Sequence, residues 1–246
     1  MKSWEVKEVL LTQPWLLVDE QGKEGWTIYV GDHSPEDIVD FQPDQLVCTN
    51  LRVGKEEIFS FSIGPNEISV SNEKGSAKWE ILEVSSASLS ISYGSLHYTY
   101  IPLKAAQIDP TIKLEKGSLE TFLTSAIWSE KLEESRSQDG FPYINRILFI
   151  NRHQRLNHED PHTFKSLIQV FFTDYQIPNE LYENPFHKNG WILSIYKNGI
   201  ILTVHEFMEA KTQNYLVIEL KEAILHLQGK QDSPSKTYIN TGGKQV

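Results

Sequence analysis

Alternation of apolar and polar side chains with a period of two is the feature that most constrains this chain. In Phe59-Ser60-Phe61-Ser62-Ile63 the apolar residues fall on one face and the serines on the other. That is the pattern of an antiparallel strand with one face packed and one in water. Gly64-Pro65-Asn66 follows as a turn, and Ile68-Ser69-Val70-Ser71 resumes the alternation. After the turn-forming Asn72-Glu73-Lys74-Gly75 come Trp79-Glu80-Ile81 and, past a serine-rich break, Leu89-Ser90-Ile91-Ser92-Tyr93. Short strands joined by short loops predict a meander.

The second half reads alike. Trp191-Ile192-Leu193-Ser194-Ile195-Tyr196 leads into Lys197-Asn198-Gly199, and Asn-Gly between apolar runs predicts a hairpin because both residues tolerate positive φ. The returning strand is expected over 200–207. Helix is expected only over 4–11 and 119–124, with Ser3 and Ser118 as the capping residues.

The halves align in a common order. Leu11-Thr12 and Trp15 match Leu123-Thr124 and Trp128, each at the exit of an expected helix. Phe59, Phe61, Ile63, Ile68 and Val70 fall on Trp191, Leu193, Ile195, Ile200 and Leu202; after a longer loop, Trp79, Ile81, Val84, Leu89 and Ile91 fall on Tyr215, Val217, Leu220, Leu225 and Leu227. Thr99-Tyr100-Ile101 meets Thr237-Tyr238-Ile239. Self-similarity of this kind predicts an internal duplication. The boundary falls between Lys104 and Gly117, around Pro110, which gives domains over 1–110 and 111–246. The second carries an insertion at about 151–185, polar at its start and rich in His, Asp and Asn, the natural place for a specialised function.

A short helix, a strand opening with Trp (Trp15-Leu16-Leu17-Val18) and hairpins ending in an aromatic strand resemble the small lipocalin-like domains common in bacterial proteins. The resemblance covers most of 1–103 and, more loosely, 118–241. It implies an all-β chain of two antiparallel up-and-down barrels, each preceded by a short helix, with room for an apolar ligand.

Charge and cysteine content narrow the classes. The formal net charge of −10 is spread along the chain with no Lys/Arg run, so no nucleic-acid partner is expected. The longest apolar runs, such as 200–204, fall far short of the roughly 20 residues that cross a bilayer, so no membrane partner is expected either. Glu5 and Glu8 interrupt what a signal peptide needs as its apolar core, and the one cysteine, Cys48, has no partner for an internal disulfide. The expected compartment is the cytoplasm.

Motifs with chemistry are few, and no cofactor is expected. His158-Glu159-Asp160-Pro161-His162 matches H-E-x-x-H, with Glu180 and Glu183 downstream. That motif needs a helix to bring both imidazoles to one metal, and Pro161 pushes Asp160 out of the helical region. The reading is a polar loop; a loop site for adventitious metal at His153, His158 or His162 is the alternative. Cys48, in Leu46-Val47-Cys48-Thr49, reads as a buried structural thiol. Gly22, Gly25 and Gly31 open no helix and form no nucleotide fingerprint.

The inward positions are the candidate site. Trp26, Tyr29, Phe41, Phe61, Trp79 and Tyr100 in the first half, and Trp191, Leu193, Leu202, Tyr215 and Tyr238 in the second, either fill the interiors or line a ligand cavity. The chain is therefore expected to be a non-catalytic binding protein, possible partners being a small apolar molecule or another protein. One alternative is an acidic interaction module, an adaptor or the antidote to a basic toxin. Another is a metal-dependent hydrolase on His158, Glu159 and His162.

Overall fold

The computed structural model describes residues 3–22, 35–51, 53–130, 146–150, 168–173, 188–206, 211–230 and 235–243. Backbone packing divides the chain into two units, Met1–Leu103 with Gly229–Pro234 and Lys104–Gln228 with Ser235–Val246. Residues 104–110 thus group with the second unit.

In the first unit helix α1 (Ser3–Leu10) precedes eight strands. These are β1 (Trp15–Gly22), β2 (Ile38–Phe41), β3 (Leu46–Asn50), β4 (Lys55–Ile63), β5 (Glu67–Asn72), β6 (Gly75–Val84), β7 (Leu89–Tyr93) and β8 (Leu96–Pro102). Each pairs antiparallel with the next, and β8 pairs with β1, closing an up-and-down barrel. Closure gives every strand of the ring a partner on each side over most of its length.

The alternation places the core. On β4 and β6 Phe59 and Trp79 are buried, while Ser60, Ser62, Lys78 and Glu80 are exposed. On β2 and β3 the pattern breaks: Ile38–Phe41 are buried at every position, as are Leu46, Val47 and Cys48. Trp15 with Leu16 and Tyr100 with Ile101 behave likewise on β1 and β8. At those positions successive residues are buried because both faces of the strand are covered there. Helix α1 packs Val6 and Leu10 into the core, and Trp15 Nε1 donates to the Leu10 carbonyl (3.3 Å). A helix C-terminus leaves its last carbonyls without intrahelical partners, and this bond satisfies one of them.

The second unit opens with β9 (Gln107–Ile108) and helix α2 (Lys116–Thr124). Eight strands follow: β10 (Ala126–Glu130), β11 (Arg146–Ile150), β12 (Ile168–Thr173), β13 (Lys188–Tyr196), β14 (Gly199–Glu206), β15 (Lys211–Lys221), β16 (Ile224–Gln228) and β17 (Lys236–Gly243). They form a sheet in the order β14-β13-β12-β11-β10-β17-β16-β15-β9, with a further pairing between β14 and β15. The expectation of a second all-antiparallel, up-and-down barrel needs correction: β11–β12 and β12–β13 are parallel. A short loop such as 42–45 allows only an antiparallel return, whereas the connections 151–167 and 174–187 are long enough for parallel neighbours, which need a dozen or more residues.

Two local expectations shift as well. Helix α2 starts at Lys116 with Glu115 as its N-cap and no side-chain capping bond, so Ser118 lies inside the helix. The β13–β14 turn is centred on Lys197-Asn198, with Lys197 at φ 51°, and Gly199 pairs with Tyr196 as the first strand residue.

Several strand pairings of the first unit have counterparts in the second. Trp15 pairs with Pro102 and Leu17 with Tyr100; Trp128 pairs with Asn240 and Glu130 with Tyr238. Phe61 and Ile63 face Val70 and Ile68, as Leu193 and Ile195 face Leu202 and Ile200. A register shift between Ile81 and Glu83 recurs between Val217 and Glu219, and Leu89–Tyr100 recurs as Leu225–Tyr238. The residues that the sequence alignment matched, among them Trp15 with Trp128, Tyr100 with Tyr238 and Leu89 with Leu225, hold equivalent places in these pairs. One end of that alignment moves by a residue: Val6 and Leu10 correspond to Leu119 and Leu123, because Trp128 Nε1 donates to the Leu123 carbonyl (3.0 Å) as Trp15 does to Leu10. One register also differs. Ile68 faces Trp79, but Ile200 faces Val217 rather than Tyr215, a slide of two residues.

Candidate functional site

In the first unit Phe41, Trp79 and Tyr100 are buried in one cluster, with Phe61 half-buried against it. The Phe41 and Phe61 rings meet edge to face at 5.4 Å, a favourable arrangement for aromatic quadrupoles. Tyr100 sits wholly inside, and its hydroxyl donates to the Glu36 carbonyl (3.0 Å). Burial first, then Cys48 and Tyr98 nearby, hold that phenol far above its ordinary range, so it stays neutral. Trp26 and Tyr29 lie outside the described residues.

Sequence reasoning passed over other members of this interior as site residues. Cys48, Phe59 and Tyr98 are all buried in the same cluster. Burial, reinforced by the carboxylates of Glu36 and Glu57, pushes the Cys48 thiol well up, which makes it an apolar wall group and no nucleophile. The signal for Tyr98 was available: it lies two residues before Tyr100 on one strand and so shares its face.

The barrel has two distinct ends. At one, α1 packs Val6 and Leu10 beside Trp15. At the other, where β1 ends at Gly22, Ala77, Tyr93 and Leu96 are half-buried against the core, as Ile63, Ile81 and Val84 are at the α1 end. The rim at the Gly22 end is charged. Glu57, one alternation step beyond Phe59 and opposite Cys48, accepts from Lys55 Nζ (2.6 Å) and Lys74 Nζ (2.9 Å). These two hydrogen bonds hold the Glu57 carboxyl below its usual range. The nearby β7–β8 turn uses Gly94 at φ 62°, a conformation that favours glycine.

In the second unit Trp191, Leu193, Leu202 and Tyr238 are buried in one core, with Tyr215 half-buried against it. Trp128 and Phe149 join them, and Phe149 meets Trp191 edge to face at 5.2 Å. Every described candidate therefore faces the core of its own unit. His153, His158, Glu159, His162, Glu180 and Glu183 lie outside the described residues. Among the described residues no group of three or more His, Cys, Asp or Glu is placed to hold a metal ion, and no helix is long and apolar enough to cross a membrane.

No family model matches the sequence, and no curated protein matches it. Among solved structures, a lipocalin-like protein from Bacteroides uniformis ATCC 8492 is similar over 38% of this chain and 98% of its own, at 19% identity and a TM-score of 0.28. An uncharacterized protein from Bacteroides eggerthii DSM 20697 is similar over 37% of this chain and 98% of its own, at 16% identity and the same TM-score.

Proposed function

We propose that this chain is a non-catalytic binding protein built from two copies of one barrel, and that the first copy holds a small apolar molecule. The observation that carries the reading is the interior of the closed barrel. Its strands turn apolar and aromatic side chains inward, and at the end away from α1 the half-buried Ala77, Tyr93 and Leu96 leave apolar surface within reach of solvent. Ligand sites of this class are concave and mostly apolar, with a few polar groups fixing orientation. The Tyr98 hydroxyl inside and the Lys55, Glu57 and Lys74 group at the rim are the polar groups on offer. Support for the second copy comes from the registers it shares with the first and from the additional β14–β15 pairing.

Native mass spectrometry of the full chain, purified without detergent, tests the reading. The expected result is a small adduct that organic extraction removes, with occupancy reduced in Ala77→Trp, whose indole fills the half-buried end. A chain that carries no adduct and binds no fluorescent apolar probe sinks it.

A further inference from the structure

The two-residue slide of β14 against β15 leaves the far end of β15 open to another strand. Beyond Val217, β15 runs on to Lys221, and there the short strand β9 lies parallel to it, with Gln107 beside Glu219 and Ile108 beside Leu220. The Asp109 amide donates to the Leu220 carbonyl (2.9 Å). Ala106, Ile108 and Ile112 pack against the core, and under them Val217, Leu220 and Leu193 are almost wholly buried.

The equivalent edge of the first barrel has no such cover. The β5–β6 register ends at Glu67 and Glu80, and the Ile81 amide donates to the Asn66 carbonyl (2.8 Å). Past that point, among the described residues, no strand pairs with residues 82–84 on the side facing β5. The side chains report the difference. Phe61, Ile81 and Val84, the counterparts of Leu193, Val217 and Leu220, are only half-buried, and Leu82 is 48% exposed. Charge differs too. Glu219 forms an ion pair with Lys221, but the residue corresponding to Lys221 is Ser85, and Glu83 has no ion-pair partner among the described residues.

We infer that residues 82–84 of β6 form a docking slot for an extended segment of another protein, which adds to the first barrel as β9 adds to the second unit. An unpaired strand edge beside apolar surface is the ordinary template for strand addition. The occupant is specified by its counterpart and by charge. It lies parallel to β6, places an aliphatic side chain where Ile108 sits, over Val84, and places a basic side chain where Gln107 sits, beside Glu83. The slot is at the α1 end of β6, away from the end proposed for ligand entry.

The probe is a dye-labelled peptide of residues 104–112 carrying Gln107→Lys, titrated into the full chain by fluorescence anisotropy, with hydrogen exchange locating the contact. The expected result is saturable binding with slowed exchange at 82–84. Binding is lost when the peptide also carries Ile108→Asp and weakens several-fold in the Glu83→Lys chain. Ala77→Trp leaves it unchanged, which separates this slot from the apolar interior. No saturable binding overturns the inference, as does protection that falls on Glu219 and Leu220. A chain that dimerises through residues 82–84 and is dissociated by the peptide overturns it as well, since the occupant is then a second copy.

Discussion

Residues 42–45 turn β2 straight back into β3, whereas residues 151–167 separate the corresponding β11 from β12, and there the two units part. Around that point they agree. β10 pairs antiparallel with β11 as β1 does with β2, and β13–β14 keeps the register of β4–β5. One strand reverses direction while its flanking hairpins keep their pairing. Connection length sets strand direction locally, and register is held by the hydrophobic faces, since a one-residue slip would turn each apolar set outward.

Matched substitutions sharpen this comparison. The largest effect belongs to the two Trp anchors. Trp15→Ala and Trp128→Ala each remove a wholly buried indole and its bond to a helix carbonyl, at a cost of about 3–5 kcal/mol. Urea unfolding followed by circular dichroism should show similar losses in each. A Trp128→Ala cost below about 1 kcal/mol, the scale of an ordinary surface change, breaks the equivalence.

A smaller effect separates the units. Thr203 Oγ1 donates to Asn214 Oδ1 (2.7 Å), and both residues are buried on β14 and β15. The corresponding Ser71 and Lys78 are exposed. Thr203→Val should cost about 1–3 kcal/mol, the scale of stranding a buried polar atom, while Ser71→Ala should be close to neutral. Equal costs in chemical denaturation would remove the contrast.

The smallest effect is pH-dependent. Lys55 and Lys74 lower the Glu57 pKa, so this carboxylate stabilises the fold above the ordinary carboxylate range, and the contribution fades as pH falls through its depressed value. Because both lysines are largely exposed, solvent screening keeps the gain under about 1 kcal/mol. Glu57→Gln should lower the unfolding midpoint at pH 7, and the difference should close only as the pH falls past the ordinary carboxylate range and through the depressed Glu57 value. A difference for Glu57→Gln that persists at low pH rejects the ion-pair origin.

Much of the candidate site was legible because its residues lie on strands whose alternation is unbroken. Phe61, Trp79, Leu193, Tyr215 and Tyr238 all sit where period two placed them. Trp15 and Trp128 were read as markers of a repeat, yet each also bonds the helix before it, a pairing that spacing alone does not reveal. The buried polar pair Thr203 and Asn214 left no signal, because polar residues on an outward face read as solvated.

Side-chain direction along a strand follows from local backbone geometry, so the sequence by itself determined the β character, the inward sets and the registers shared by the two halves. Strand direction at β12, burial of both faces of β2, β3 and the paired ends of β1 and β8, and the place taken by β9 came only from tertiary contacts. Each depends on which distant segment comes to lie alongside, and no local periodicity encodes that neighbour.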